Sequence, residues 1–372
     1  MTVIFVPKEI RSGETRVAAT PETVGRMVKD GLTVRIEAGA GISACMPDED
    51  YQAAGADILP AGSACPADTQ VLLKVATPTC TEISTYPKDV LLVSFLRAGE
   101  FPEETAAITR SGIHAWAMEC VPRTTLAQKM DALSSQANIA GYKAVLLGAT
   151  TLGKYFPLLM TAAGTVKPAK VVIFGVGVAG LQAIATAKRL GALVEATDIR
   201  PEVKEQVESL GAKFIDVAPD EGAEEESVYA AEASDDYKKR QAEAVAAKVA
   251  EADVVITTAQ IPGRKAPLLI PTSMVETMKL GSVIVDLAIE QGGNCELSQE
   301  GVNVRHNGVT IVGTSNIPAT VPVHASELYS RNLLEVVKHV FPKVEEGQER
   351  RRILDLENEI TAGSLHKTGD DS

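Results

Sequence analysis

Residues 170–200 read KVVIFGVGVAGLQAIATAKRLGALVEATDIR. The apolar run Val171, Val172, Ile173 and Phe174 predicts a strand covered on both faces, and an alanine-rich helix follows it. Between them stand Gly175, Gly177 and Gly180 at GxGxxG spacing. The three glycines do different things: one makes a tight turn, one leaves an open approach of a pyrophosphate to the backbone, and one allows close packing of the helix on the strand. Gly191 falls where the helix needs a left-handed cap, and a second strand, Leu193 to Thr197, delivers Asp198 to its end. The glycine pattern is short, and its context is what gives it meaning. Strand, glycines, helix, cap, strand and acid in that order make a dinucleotide-binding βαβ unit. Asp198 lies 18 residues beyond Gly180. A carboxylate there accepts hydrogen bonds from an adenosine ribose and repels a 2′-phosphate, so the predicted ligand is NAD(H) rather than NADP(H), a preference that Arg200 blurs slightly.

Working outward, the second half of this Rossmann unit carries VKEQVESLGAKF as helix and strand, KKRQAEAVAAKVAEA as helix, DVVITTA as strand, PTSMVETMKLG as helix, SVIVDLA as strand and VTIVGTSN as the last strand. The first 120 residues alternate strand-like and helix-like segments in the same manner, from VIFVPKE to IHAWAME, which argues for a second parallel α/β sheet. Thr20, Pro21 and Glu22 read as a helix start with a cap, a proline at the first position and an acid in the first turn. Residues 132 to 160 read as one long bridging helix, and a last helix from about Ala325 to His339 returns to the first domain. The expected fold is α/β: two doubly wound parallel-sheet domains, the Rossmann domain (133–323) inserted into an N-terminal domain (1–132 plus 324–372). Between Asp216 and Asp236 the chain is too acidic to bury. It reads either as a solvated insertion or as a lid over bound nucleotide, with Tyr229 as the side chain to pack on it.

A chain of 372 residues suits two domains, each with its own core. No run of about eighteen apolar residues occurs, so no direct membrane insertion is expected. The N-terminus lacks the long apolar core and small-residue cleavage site of a secretory signal. Five scattered cysteines without a CxxC pair read as free thiols in a reducing cytoplasm, with no metal site. A net charge of −13 without a basic patch makes nucleic acid a poor partner.

With NAD(H) as ligand, two chemistries compete: a dehydrogenase with its own substrate pocket, or a protein that passes hydride to a second nucleotide. The first needs a proton acceptor, usually His or Lys, beside the carbon that loses hydride. Of the five histidines only His114 comes near a strand end in the first domain, and a partly buried histidine at a strand start describes it as well.

ETRVAATP (Glu14 to Pro21), VLLKVATP (Val71 to Pro78), the Rossmann run and VIVDLAIEQGGN (Val283 to Asn294) resemble the alanine dehydrogenase and nicotinamide nucleotide transhydrogenase superfamily over nearly the whole chain. PRTTLAQKMDALSSQANIAGYKAV (Pro122 to Val145) looks like the Arg-Gln-Asp loop of the NAD(H)-binding component of proton-translocating transhydrogenase, and MTAAGTV before the Rossmann strand points the same way. In alanine dehydrogenases the pyruvate pocket uses an arginine, a lysine, a histidine and an aspartate. Arg16, Lys74 and Asp286 sit in matching contexts, but Arg97 stands where that family has its histidine, and a guanidinium cannot accept a proton near neutral pH.

The resemblance implies that Arg123 holds the nicotinamide carboxamide, that Asp131 and Ser134 fix its ring and ribose side, and that Gln128 reaches toward NADP(H) on a partner. Lys129 and Met130 adjoin them in the same loop. It further implies Val176, Gly177 and Val178 at the pyrophosphate and Asp198, Ile199 and Arg200 at the adenosine end, with Gln241 and Gln260 nearby. Gln260 is polar where family members carry an aliphatic side chain. Taken without the family, Arg123, Gln128 and Asp131 are also a solvated polar stretch before a helix. The implied protein is a homodimeric NAD(H)-binding subunit, cytoplasmic and peripheral to the inner membrane, whose membrane-spanning and NADP(H)-binding subunits are separate chains. An amino-acid dehydrogenase and a non-catalytic NAD(H) sensor are the alternatives.

Overall fold

The structure is a computed structural model that describes residues 2–217, 235–261, 264–343 and 350–366. It divides into two compact units, one formed by residues 1–136 and 318–372 and the other by 137–317. The acidic stretch that includes Tyr229 lies outside the described residues.

The first unit is built on six parallel strands: β1 (Val3–Val6), β2 (Thr33–Glu37), β3 (Asp57–Leu59), β4 (Val71–Leu73), β5 (Leu91–Ser94) and β6 (His114–Ala117). Their order is β3-β2-β1-β4-β5-β6. Helices α1 (Pro21–Lys29), α2 (Asp48–Ala53), α3 (Cys80–Ile83) and α4 (Pro102–Ser111) supply the crossovers. Thr20 caps α1 in a reciprocal pair with Thr23, and Pro21 opens the helix as its spacing predicts. Successive strand residues feed opposite faces: Ile4, Val71 and Leu73 enter one core, Phe5 and Leu72 the other. A sheet covered on both sides demands apolar residues on both faces, which is why the central strands β1, β4 and β5 read as nearly unbroken hydrophobic runs, whereas β2 alternates and β3 lies at the edge.

Helix α5 (Ala132–Thr151) follows. It stops nine residues short of the expected 160, because Gly153 and Pro157 cannot sustain it, and residues 159–166 instead form a small antiparallel hairpin, β7 (Leu159–Thr161) and β8 (Gly164–Val166). The second unit then runs β9 (Lys170–Phe174), α6 (Val178–Arg189), β10 (Leu193–Thr197), α7 (Lys204–Ser209), β11 (Lys213–Phe214), α8 (Asp235–Glu251), β12 (Val254–Thr257), α9 (Thr272–Val275), β13 (Val283–Asp286), β14 (Val304–His306) and β15 (Val309–Val312). The sheet order is β11-β10-β9-β12-β13-β15-β14. Again the faces alternate, with Val171 and Ile173 in one core and Val172 and Phe174 in the other.

Both sheets are doubly wound, as the alternating pattern predicts, with one departure. Strand β14 is antiparallel to β15, joined to it through Asn307 and Gly308, both at positive φ (47° and 80°). That pair is the turn chemistry of a tight hairpin. The segment PTSMVETMKLG, expected as a helix, keeps only the single turn of α9. Helices α10 (Pro322–Val340) and α11 (Glu359–Ser364) belong to the first unit, α10 beginning earlier than expected because Pro322 suits a first helical turn. Among the described residues no helix is long and apolar enough to cross a membrane.

Candidate functional site

In the second unit the turn from β9 to α6 stands at the point where the strand order reverses, between β9 and its two neighbours β10 and β12. Gly175 has φ of +90°, a conformation that L side chains rarely adopt. A Cβ on Gly180 would lie 1.9 Å from the Gly175 carbonyl oxygen, so this glycine lets α6 pack on the turn. A Cβ on Gly177 would meet nothing within 4 Å. Gly177 is the N-cap residue of α6 and no side chain caps that end. The first helical amides, of Val178, Ala179 and Gly180, have no intrahelical acceptor and form an anion-binding terminus. Val176 is buried and Val178 is 40% exposed.

At the end of β10 the Asp198 carboxylate is 6% exposed. One oxygen accepts from the Val176 amide (2.6 Å) and from Arg200 Nη2 (3.1 Å); the other accepts from the Arg200 amide (2.9 Å) and Nε (3.0 Å). Burial alone would raise its pKa, but the Arg200 and Val176 hydrogen bonds outweigh it and hold the carboxyl below the usual range. Ile199 beside it is an apolar side chain that is 97% exposed. Gln241 on α8 donates to the Ile215 carbonyl at 2.8 Å, while its Oε1 is buried without a hydrogen-bond partner among the described residues. Gln260 donates to the Leu287 carbonyl at 2.7 Å. The VIVDLAIEQGGN segment shapes this strand end. Asp286, fully buried, accepts from Thr257, Ala288, Asn294, Cys295 and Ser298, and Asn294 clamps Ala259 and Pro267. With five donors on one carboxylate, Asp286 is an organiser of the loop.

In the first unit Arg123, Gln128 and Lys129 are exposed and Met130 is buried. Their side chains make no hydrogen bond or ion pair among the described residues. Gln128–Met130 form a 3-10 turn that runs into α5. Asp131 accepts from the Ser134 amide (2.9 Å) and hydroxyl (2.6 Å), an N-cap arrangement that brings these two together and fixes the start of α5.

The cations that the resemblance matches to a pyruvate pocket are deeply buried and engaged. Arg16, 3% exposed, donates from Nε and Nη2 to Glu14 and from Nη1 to Gln136. Lys74, 1% exposed, pairs with Glu82 at 2.8 Å and Glu9 at 3.2 Å. Burial would depress the Lys74 pKa, but the two carboxylates outweigh it and hold the ammonium protonated. Arg97 has φ of +44°, donates its amide to Glu119 and pairs with Glu100 at 3.4 Å. His114 opens β6, half-buried. The sequence reading missed Asn332, Ser135 and Gln136, which hydrogen-bond around the 123–131 loop. No spacing could reveal Asn332, some two hundred residues away in the chain.

The family model described as "Alanine dehydrogenase/PNT, N-terminal domain" matches residues 5–140, and "Alanine dehydrogenase/PNT, C-terminal domain" matches residues 144–369. The first part of the NAD(P) transhydrogenase subunit alpha of Rhodospirillum rubrum is 46% identical over 368 residues, covering 97% of this chain and 95% of that protein. A crystal structure of transhydrogenase from Sinorhizobium meliloti superposes with a TM-score of 0.88 at 42% identity, over 98% of this chain and 97% of that one. The alanine dehydrogenase of Bacillus subtilis is 32% identical over 328 residues, 86% of this chain and 80% of that protein.

Proposed function

The chain belongs to the alanine dehydrogenase/PNT family, and from that premise we propose that it is the NAD(H)-binding subunit of a proton-translocating NAD(P) transhydrogenase. The observation that carries this reading is the first unit's exposed Arg123 and Gln128, whose side chains are unpaired among the described residues, on the loop that leads into α5, where the neighbouring carboxylate of Asp131 is engaged in capping the helix. Direct transfer between two nicotinamide rings needs alignment and no general base. An amino-acid dehydrogenase needs a base; in the contexts that match its pocket, Lys74 is buried and protonated and Arg97, a guanidinium, stands where that family has its histidine.

The residues of the second unit fit NAD(H): an uncapped helix N-terminus, a Gly177 approach open to a pyrophosphate, an ionised Asp198 and an orphaned buried oxygen on Gln241. When bound, NADH supplies the hydride. Asp198 accepts from the ribose hydroxyls once Arg200 releases its two side-chain bonds, while the Val176 amide keeps its own. The amides of Val178 to Gly180 and Gly177 receive the pyrophosphate, and Ile199 covers the adenine. In the first unit Arg123 orients the carboxamide, the capped Asp131 and Ser134 fix ring and ribose, Lys129 and Met130 complete the turn, and Gln128 faces the acceptor nucleotide. The acceptor, NADP+, is held by a separate subunit. Proton movement belongs to membrane-spanning subunits, against which this chain sits as a homodimer on the cytoplasmic face of the inner membrane.

Hydride transfer from NADH to an NADP+ analogue, followed with the purified chain with and without a transhydrogenase NADP(H)-binding domain, tests this. Rapid transfer is expected only with that domain present, and Gln128→Asn should slow it at least about tenfold, or about 1.4 kcal/mol of barrier, with NADH affinity nearly unchanged. NADH binding without transfer, together with pyruvate reduction in the presence of ammonia, would replace the reading with an amino-acid dehydrogenase. Binding alone would leave a sensor.

A further inference from the structure

The 123–131 turn is held by a chain of buried polar side chains that begins at Arg16. Arg16 Nη1 donates to Gln136 Oε1 at 2.8 Å. The Gln136 amide nitrogen donates to the Ala325 carbonyl (3.1 Å) and to Ser135 Oγ (3.3 Å). Ser135 Oγ lies 2.8 Å from Asn332 Oδ1, and Asn332 Nδ2 donates to the Lys129 carbonyl at 2.8 Å. Gln136 and Asn332 are 6% and 8% exposed, so both ends of each amide are committed inside the first unit.

The local bonds of the turn are few. Met130 N reaches Ala127 O at 2.8 Å, and Asp131 N reaches Gln128 O at 3.3 Å. Asp131 secures the end that enters α5, and the Asn332 bond ties the middle of the turn to α10. We infer that Asn332, backed by Ser135, Gln136 and Arg16, is a positioning residue for hydride transfer: it sets the height of the Gln128–Met130 turn, and through it the side chains of Arg123 and Gln128. Arg16 thereby acquires a purpose on this chain other than gripping a substrate carboxylate.

The inference rests on the transhydrogenase reading. Its physical force comes from the sensitivity of transfer to placement, since a displacement of about 1 Å costs on the order of a hundredfold in rate. Asn332→Asp keeps the shape and the acceptor for Ser135 but sets a carboxylate oxygen against the Lys129 carbonyl. Single-turnover transfer from NADH, measured at saturating nucleotide with the full chain and the NADP(H)-binding domain, should fall at least about tenfold, while the NADH dissociation constant stays within about twofold. Ser135→Ala, favourable in a helix, releases Asn332 more gently and should slow transfer severalfold with the same split, so a folding failure of the first variant leaves the question decided by the second. A purely structural role would lower the melting temperature of either variant and leave the rate per folded molecule at the unmodified value, which would overturn the inference. If the unmodified chain transfers no hydride to the domain, the functional reading itself falls and takes the inference with it.

Discussion

A carboxylate titrates as its neighbours dictate, and Asp198 has neighbours that favour its charge. The Arg200 and Val176 donors outweigh its burial and lower its pKa, so it is fully ionised from about pH 5 upward. NADH affinity should therefore be flat between about pH 5 and about pH 8 and weaken only toward more acid solution, where the carboxyl protonates and can no longer accept two hydroxyl donors. Asp198→Ala should weaken NADH binding and relax discrimination against NADPH. Fluorescence titration with both nucleotides checks this, and discrimination that survived the substitution would move specificity to another residue. Asp198 was legible in the sequence because it is a count of residues from a glycine pattern to a strand end. Asn332, Gln136 and Asn294 were not, because each acts through an amide placed by the tertiary fold on a segment distant in sequence.

At the scale of the element, the turn from β9 to α6 separates packing from binding within three residues. A Cβ at position 180 collides with a backbone oxygen that cannot move without lifting α6, whereas a Cβ at position 177 enters open space at an ordinary backbone φ of −83°. Gly180→Ala should lower stability by roughly 1–3 kcal/mol and cost NADH binding as well. Gly177→Ala should leave the melting temperature unchanged and weaken NADH severalfold, because the new methyl stands where the pyrophosphate approaches. Thermal unfolding and NADH titration on the two variants give the comparison, and equal stability losses would mean that position 177 is packed in solution. The strand-glycine-helix order was readable because buried parallel strands are unbroken apolar runs and the glycines punctuate them. The small hairpins were harder: β14 and β15 meet through Asn307 and Gly308, a legible turn signal hidden beside short strands, and β7–β8 was absorbed into an over-long helix because Leu158, Leu159 and Met160 extend its apolar pattern past Pro157.

For the whole molecule the question is how a chain of net charge −13 holds its carboxylates. Several are lowered in pKa by a donor in the folded state: Glu22 by Arg331, Asp68 by Arg35, Glu104 by Arg11, Glu251 by Lys170 and Glu296 by the Thr272 amide. They are spread over both units. A carboxyl whose folded pKa is depressed contributes stability above its unfolded value and loses it as pH falls through the folded value. Glu9 runs the other way. Burial outweighs its attraction to Lys74 and raises its pKa, so its contribution improves as pH falls through the same range. Burial also lowers the pKa values of His114 and His339, so the unfolded chain begins to bind more protons than the folded one as pH falls below about 6.5; the melting temperature should decline gently there and steeply below about pH 4.5, where the paired carboxylates titrate. Because most of these pairs are at the surface, added salt should shrink the difference between neutral solution and the acid limb. Scanning calorimetry from about pH 3 to about pH 8 at low and high salt provides the test. A melting temperature that rose steadily toward acid would mean that repulsion among the unpaired acidic residues, relieved as they protonate, outweighs every paired carboxylate in the two units.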